Sequence, residues 1–125
     1  MTLDQLRQLA SEKVKPRRLS EDCSVASVAS ALLTDKGNVY VGVCIDTACS
    51  MGFCAEHAAI AQMVLNEESR ITRIVAVGVG DKVYPPCGRC REFMYQINYD
   101  NLDAEVLVAD NTVVKLEDLL PYRFS

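Results

Sequence analysis

The residue pattern predicts an α/β domain, a β-sheet with helices packed against it. Three observations lead there. Val39, Val41, Val43 and Ile45 alternate strictly, as a half-buried strand requires, and ITRIVAVGVG (71–80) is a β-branched, almost wholly apolar run suited to a strand buried on both faces. Residues 54–68 are rich in Ala, Ile, Met, Leu and Glu and hold neither Gly nor Pro, which is a helical stretch. The 125 residues are 50% hydrophobic and 24% charged, so one globular domain over 1–125 can bury a core without disulfides.

In chain order, Leu3, Leu6, Leu9 and Ala10 fall three or four apart over 2–14, an amphipathic helix with Thr2 available as its cap. Lys15-Pro16-Arg17-Arg18 reads as a proline-broken connector. Small and aliphatic residues from Ser24 to Leu33, the turn residues Asp35-Lys36-Gly37-Asn38 and the alternating run that follows make a β-hairpin. In the helix over 54–68, Ala58, Ala61 and Leu65 share a face. Asp81 to Pro86 reads as loop and Cys87 to Asn98 as a second core helix opened by Pro86. Strands at 105–109 and 112–116 flank an Asp110-Asn111 turn, and Leu119-Leu120-Pro121 closes the chain. Gly78-Val79-Gly80 lacks the third glycine of a nucleotide loop and is a strand end.

Composition narrows the function. Seventeen acidic residues against thirteen basic ones leave a net charge of −4, without the basic footprint of a nucleic-acid binder. The longest uncharged stretch, 23–34, is too short to span a bilayer, and MTLDQLRQLA lacks the apolar run of a leader. A cytoplasmic protein with a small-molecule substrate is expected.

Six cysteines, at 23, 44, 49, 54, 87 and 90, are in a reducing compartment ligands, nucleophiles or small core residues rather than disulfides. Cys23 and Cys44 sit among small and apolar residues and read as core. Cys54-Ala55-Glu56 and Pro86-Cys87-Gly88-Arg89-Cys90 each open a helix. The positive end of a helix favours thiolate, the form that binds metal. Cys87 and Cys90 supply two sulfurs for a tetrahedral zinc, and Cys54 a third if the two helix starts face each other across the sheet, leaving one corner for water. Water there ionises near neutral pH, and Glu56 stands where it can carry the proton to an amino-pyrimidine. A closed four-sulfur site including Cys49 would make a zinc-stabilised, non-catalytic module instead, and would leave Glu56 without a role. A redox role for Cys87 and Cys90 ignores Cys54 and Glu56 altogether.

CAEHAAI (54–60) and PCGRCRE (86–92) closely resemble the cytidine deaminases, as do Asp35-Lys36-Gly37 in the hairpin turn and LLPYRF (119–124) at the end. The resemblance covers about residues 20–124. It implies a three-layer α/β/α fold around a mixed sheet of about five strands and a homotetramer with sites near subunit interfaces. It also implies one zinc per chain on Cys54, Cys87 and Cys90, with Glu56 as proton shuttle. Ala55, Cys44, Asp46 and Phe124 then fall at substrate-contacting positions, Phe124 reaching a neighbouring subunit's pocket. His57 and Arg89 are donors that could offset the charge of the zinc-bound sulfurs. Two departures bear on the substrate. The family's Phe-x-Val-Gly-Ala-Ala-Leu strand is Ala26-Ser27-Val28-Ala29-Ser30-Ala31-Leu32 here, and its ribose-reading Asn-x-Glu is Cys44-Ile45-Asp46. The blasticidin S deaminase branch shares the zinc core and has similar SVAS and PCGRCR-like segments, so pyrimidine salvage and action on a nucleoside analogue both stand as expectations.

Overall fold

A computed structural model describes all residues from Met1 to Ser125. The elements are α1 (Leu3–Ser11), β1 (Arg17–Ser20), β2 (Cys23–Thr34), β3 (Val39–Thr47), α2 (Ala55–Leu65), β4 (Ile71–Gly78), β5 (Lys82–Val83), α3 (Gly88–Ile97), β6 (Glu105–Ala109), β7 (Thr112–Lys115) and α4 (Leu116–Leu119). Five strands in the order β3-β2-β4-β6-β7 form the body of the sheet, with β1 and β5 as short additions to β2 and β4. All pairings are antiparallel except β4 with β6, which makes the sheet mixed.

The two additions correct the expectation of a connector at 15–18 and a loop at 81–86. Neither segment alternates apolar with polar, and all four β1 residues are exposed. Their strand character comes from a partner. β4 pairs with β2 only from Val28 onward, so the start of β2 has a free edge that Arg17 and Arg18 take opposite Val25 and Ser24.

The sheet is covered on both faces, giving three layers. On one side α1, closed by a capping box between Thr2 and Gln5, lays Leu6 and Ala10 on Ala29, Ala31, Val75, Val77 and Leu107. On the other, α2 and α3 bury Ile60, Met63 and Met94 against Leu32, Ile71, Ile74 and Val106. Each such side chain contributes roughly 1.5–3 kcal/mol on burial. Neighbours along β4 and β6 thus serve opposite cores, as their continuous apolar runs foretell.

The face of α2 differs from the expectation. Ala55, Glu56, Ala59, Ile60 and Met63 point inward, whereas Ala61 and Leu65 are exposed, Leu65 at 81%. The helix is apolar nearly all round, so its period alone does not choose a face. Gly42 on β3 makes the choice: a Cβ there would lie 2.4 Å from the Ala59 nitrogen and 2.7 Å from the Ala55 oxygen. The helix backbone rests directly on the strand, and its first turn is fixed over the sheet.

Two buried polar clips hold the helix ends. The Glu68 carboxylate accepts from Thr34 Oγ1 at 2.6 Å, Asn38 Nδ2 at 2.9 Å and the Tyr40 hydroxyl, tying the end of α2 to the hairpin turn. Asn101, fully buried, accepts from the Ile71 amide and donates to the Ser69 and Met94 carbonyls, so its amide leaves no lone donor inside the core.

Candidate active site

The site lies where the first turns of α2 and α3 meet beside β3. Phe53 pairs with Ile45 through two backbone hydrogen bonds of 2.9 and 3.1 Å, so the chain leaves β3, turns, and returns to the sheet just before α2. Cys54 and Cys87 are the extended residues that begin α2 and α3, and neither caps its helix with its side chain. Their sulfurs face each other at 3.5 Å. Cys90, one turn into α3, is fully buried with its sulfur 3.3 Å from His57 Nδ1. His57 is held flat against Phe93, ring centroids 4.2 Å apart.

Donor atoms of Cys54, His57 and Cys90 all lie within 4.8 Å of one another, with Cys87 against Cys54. Tetrahedral zinc with bonds of about 2.3 Å separates its sulfurs by roughly 3.8 Å, so the Cys54–Cys87 spacing suits a shared ion. A thiol-rich donor set with one imidazole is zinc chemistry, and these residues fit one zinc ion. Cys49 is exposed on the turn after β3, in a left-handed conformation, and does not join the cluster of donor atoms around Cys54.

Electrostatics differ along the cluster. Burial pushes the Cys90 thiol far up, aided by the Glu56 charge, and burial also raises Cys54. Burial acts on Cys87 in the same sense, but the Cys90 and Arg89 amides and the neighbouring thiols outweigh it and hold Cys87 below the ordinary thiol value. Burial, then the Arg89 charge, lowers His57.

Glu56 is 5% exposed. In front of it is a cavity of about 510 Å³, bordered by Cys54, Ala55 and Cys87. Behind it is a crevice walled by Ile74, Val75, Val106 and Leu107. Burial there raises the Glu56 carboxyl above the ordinary carboxylate range. A carboxyl group that can hold a proton beside a thiol-rich metal site, facing a cavity, has the means for general acid–base work.

The family of zinc-binding cytidine and deoxycytidylate deaminases matches residues 3–105. The chain belongs to this family. It is 28% identical over 102 residues to a probable cytidine deaminase of Dictyostelium discoideum, across 78% of this chain and 68% of the relative. Among solved structures it is similar to a cytidine deaminase from Burkholderia pseudomallei, at 26% identity and a TM-score of 0.79, covering 99% of this chain and all of that one. The cytidine deaminase of Mycobacterium tuberculosis shares the fold at 23% identity, a TM-score of 0.82 and coverage of 100% and 98%. Family membership makes the chain a hydrolytic deaminase with zinc as its cofactor. No helix is long and apolar enough to cross a membrane.

The remaining site residues divide. Ala55, Cys44, Asp46 and Arg89 all border the cavity, Asp46 and Arg89 exposed and without an ion-pair partner. Phe124 does not: it is 86% exposed, its amide docked on Glu92. Arg91 is structural, tying α3 to the Pro86 and Leu119 carbonyls. Cys44 is buried as expected, but Cys23 is half-buried.

Cavity residues assigned no role from the sequence include Ser27, Val28, Phe53 and Tyr84. The first two face it because β2 bulges. Val25 pairs with Ile45 and Ala29 with Val43, so Ala26, Ser27 and Val28 together oppose Cys44. Ala26 takes φ 64°, is fully buried and does not border the cavity. The Cys44 sulfur fills the gap, 3.4 Å from the Val28 amide and 3.3 Å from Ser27 Oγ. A left-handed alanine leaves no sequence signature. Phe53, next to Cys54, and Tyr84, two residues before Pro86-Cys87, could have been suspected as aromatics close to the two cysteine motifs.

Proposed function

We propose that the chain, a single cytidine-deaminase-like domain over 1–125, converts a cytosine-type nucleoside, cytidine or deoxycytidine, to its uracil form and releases ammonia. The observation that carries this reading is Glu56, buried between a substrate-sized cavity and an apolar crevice, two residues from Cys54. Cys54, Cys87 and Cys90 would hold the zinc, which would supply a water acidic enough to ionise near neutral pH. Glu56 takes one proton from the water as the water oxygen bonds to the amine-bearing carbon and delivers it to the adjacent ring nitrogen. It then passes the remaining proton of the added hydroxyl to the amine, which leaves as ammonia as the C–N bond breaks and the carbonyl forms. His57 Nδ1 donates to the Cys90 sulfur and spreads its negative charge, and Phe93 fixes the imidazole plane for that bond. Arg89 adds positive charge at the same end. Ala55, Cys44 and Asp46 border the substrate. Asp46 accepts from its hydroxyls, while the Cys44 thiol is engaged with the β2 bulge.

The exposed apolar side chains Val64, Leu65, Tyr122 and Phe124 support a homotetramer in which Phe124 reaches a neighbouring subunit. A cytoplasmic role in pyrimidine salvage accords with this reading.

The missing aromatic at Ala26 and the occupied thiol of Cys44 favour a second reading, deamination of a nucleoside analogue such as blasticidin S or another aminated heterocycle. The test is the ultraviolet absorbance of zinc-loaded protein with cytidine, deoxycytidine and blasticidin S separately, with ammonia assayed alongside. Turnover of cytidine or deoxycytidine is the expected result. Turnover of blasticidin S alone moves the assignment to the analogue, and no ammonia from any of them with one zinc per chain overturns it.

A further inference from the structure

Tyr84 stands at the boundary between two spaces. With Glu56 and Ala76 it is shared by the substrate cavity and the crevice behind Glu56. That crevice is apolar and too narrow for a water molecule.

The ring is held from several sides. The Tyr84 amide donates to the Ala76 carbonyl at 3.0 Å, anchoring the residue to the end of β4. Gly78 leaves the space it occupies: a Cβ at 78 would lie 2.5 Å from Tyr84 Cε2. Lys82 Nζ sits 4.9 Å from the ring centroid, a cation–π distance. Gly78 itself does not border the cavity, so its lack of a side chain serves the position of the tyrosine ring.

We infer that Tyr84 is the specificity-determining residue that limits the site to a single six-membered heterocycle. This rests on the deaminase reading above. A planar ring with its amine-bearing carbon beside Glu56 meets the tyrosine as a fixed wall. A fused second ring directed that way would need the volume Tyr84 occupies. Removing the ring would join cavity and crevice, loosening the hold on a pyrimidine and opening room for a purine.

The experiment compares zinc-loaded wild type, Tyr84→Phe, Tyr84→Ala and Gly78→Ala. KM and kcat are measured on the amino-pyrimidine nucleoside that the wild type deaminates, and inhibition by adenosine is measured in the same assay. Zinc content and thermal unfolding are followed for each variant. For Tyr84→Ala, KM should rise by about 10-fold or more, the scale on which an apolar pocket discriminates shape, with a smaller change in kcat. Adenosine inhibition should strengthen by a comparable factor. Tyr84→Phe keeps the wall, so its KM should rise less than that of Tyr84→Ala and adenosine should remain excluded. Gly78→Ala should move KM and adenosine inhibition in the same direction as Tyr84→Ala, because its methyl displaces the ring. A folded, zinc-loaded Tyr84→Ala with unchanged KM and unchanged exclusion of adenosine overturns the inference alone. A zinc-loaded wild type that deaminates no amino-pyrimidine overturns it together with the proposed function.

Discussion

Gly42→Ala places one methyl group between β3 and α2, 2.4 Å from the Ala59 nitrogen, 2.6 Å from Ala58 Cβ and 2.7 Å from the Ala55 oxygen. Two of those atoms are helix backbone, so no side-chain rotation relieves the clash. Ordinary contact begins near 3.4 Å, and α2 must therefore retreat by about 1 Å. Overpacking of this kind costs about 1–3 kcal/mol, a fall in Tm of roughly 4–12 °C for a chain of this size. The same retreat moves Cys54, Ala55 and Glu56, which lie at the contacted end of the helix. A displacement of about 1 Å at reacting groups can cost on the order of 100-fold in turnover. The assay is differential scanning calorimetry with zinc content and kcat on the same preparation. Gly37→Ala is the control: Gly37 has φ +83° with nothing within 4 Å of an added Cβ. Its strain of about 1–2 kcal/mol should lower Tm and leave kcat alone. A Gly42→Ala protein with wild-type Tm and wild-type turnover would refute the claim that this close approach positions the site.

Glu56→Gln should keep the fold and the zinc while activity drops by about 10²–10⁴-fold, read by ammonia release; near-full activity would remove Glu56 from the proton path. Zinc stoichiometry separates the two donor sets: Cys87→Ala should lose the ion, whereas His57→Ala should retain it with altered kcat, and the opposite pattern would make His57 the ligand. Glu68 carries the acid response. Hydrogen bonds, from Thr34 first and then Tyr40, hold its carboxyl below the ordinary range. A lowered folded-state pKa gives stability that is complete above the unfolded value of about 4.3 and is lost as pH falls through the folded value. Tm should decline on acidification in that range, with a shallower decline in Glu68→Gln; identical pH profiles would dismiss this clip.

What the sequence by itself determined was chemistry held in short contiguous motifs and periodic runs. Cys54 with Glu56, and Cys87 with Cys90, are each ordered by a single helical turn, so local spacing sufficed to read them together. The strands β2, β3, β4 and β6 and the cap at Thr2 follow from residues whose burial or hydrogen bonding repeats along the chain. Tertiary structure decided whatever depended on a partner distant in sequence. β1 and β5 exist because β2 and β4 offer free edges, and the inward face of α2 was set by Gly42 on another element, since an all-round apolar helix has no preferred side of its own. The buried clips at Glu68 and Asn101 satisfy polar groups that come together only on folding. The shape of the cavity belongs here too: a left-handed Ala26 turns Ser27 and Val28 toward it, and the space left by Gly78 holds Tyr84 at its wall. Backbone conformation and close approach of this kind are properties of packed elements, and the residues that carry them are among the smallest in the chain.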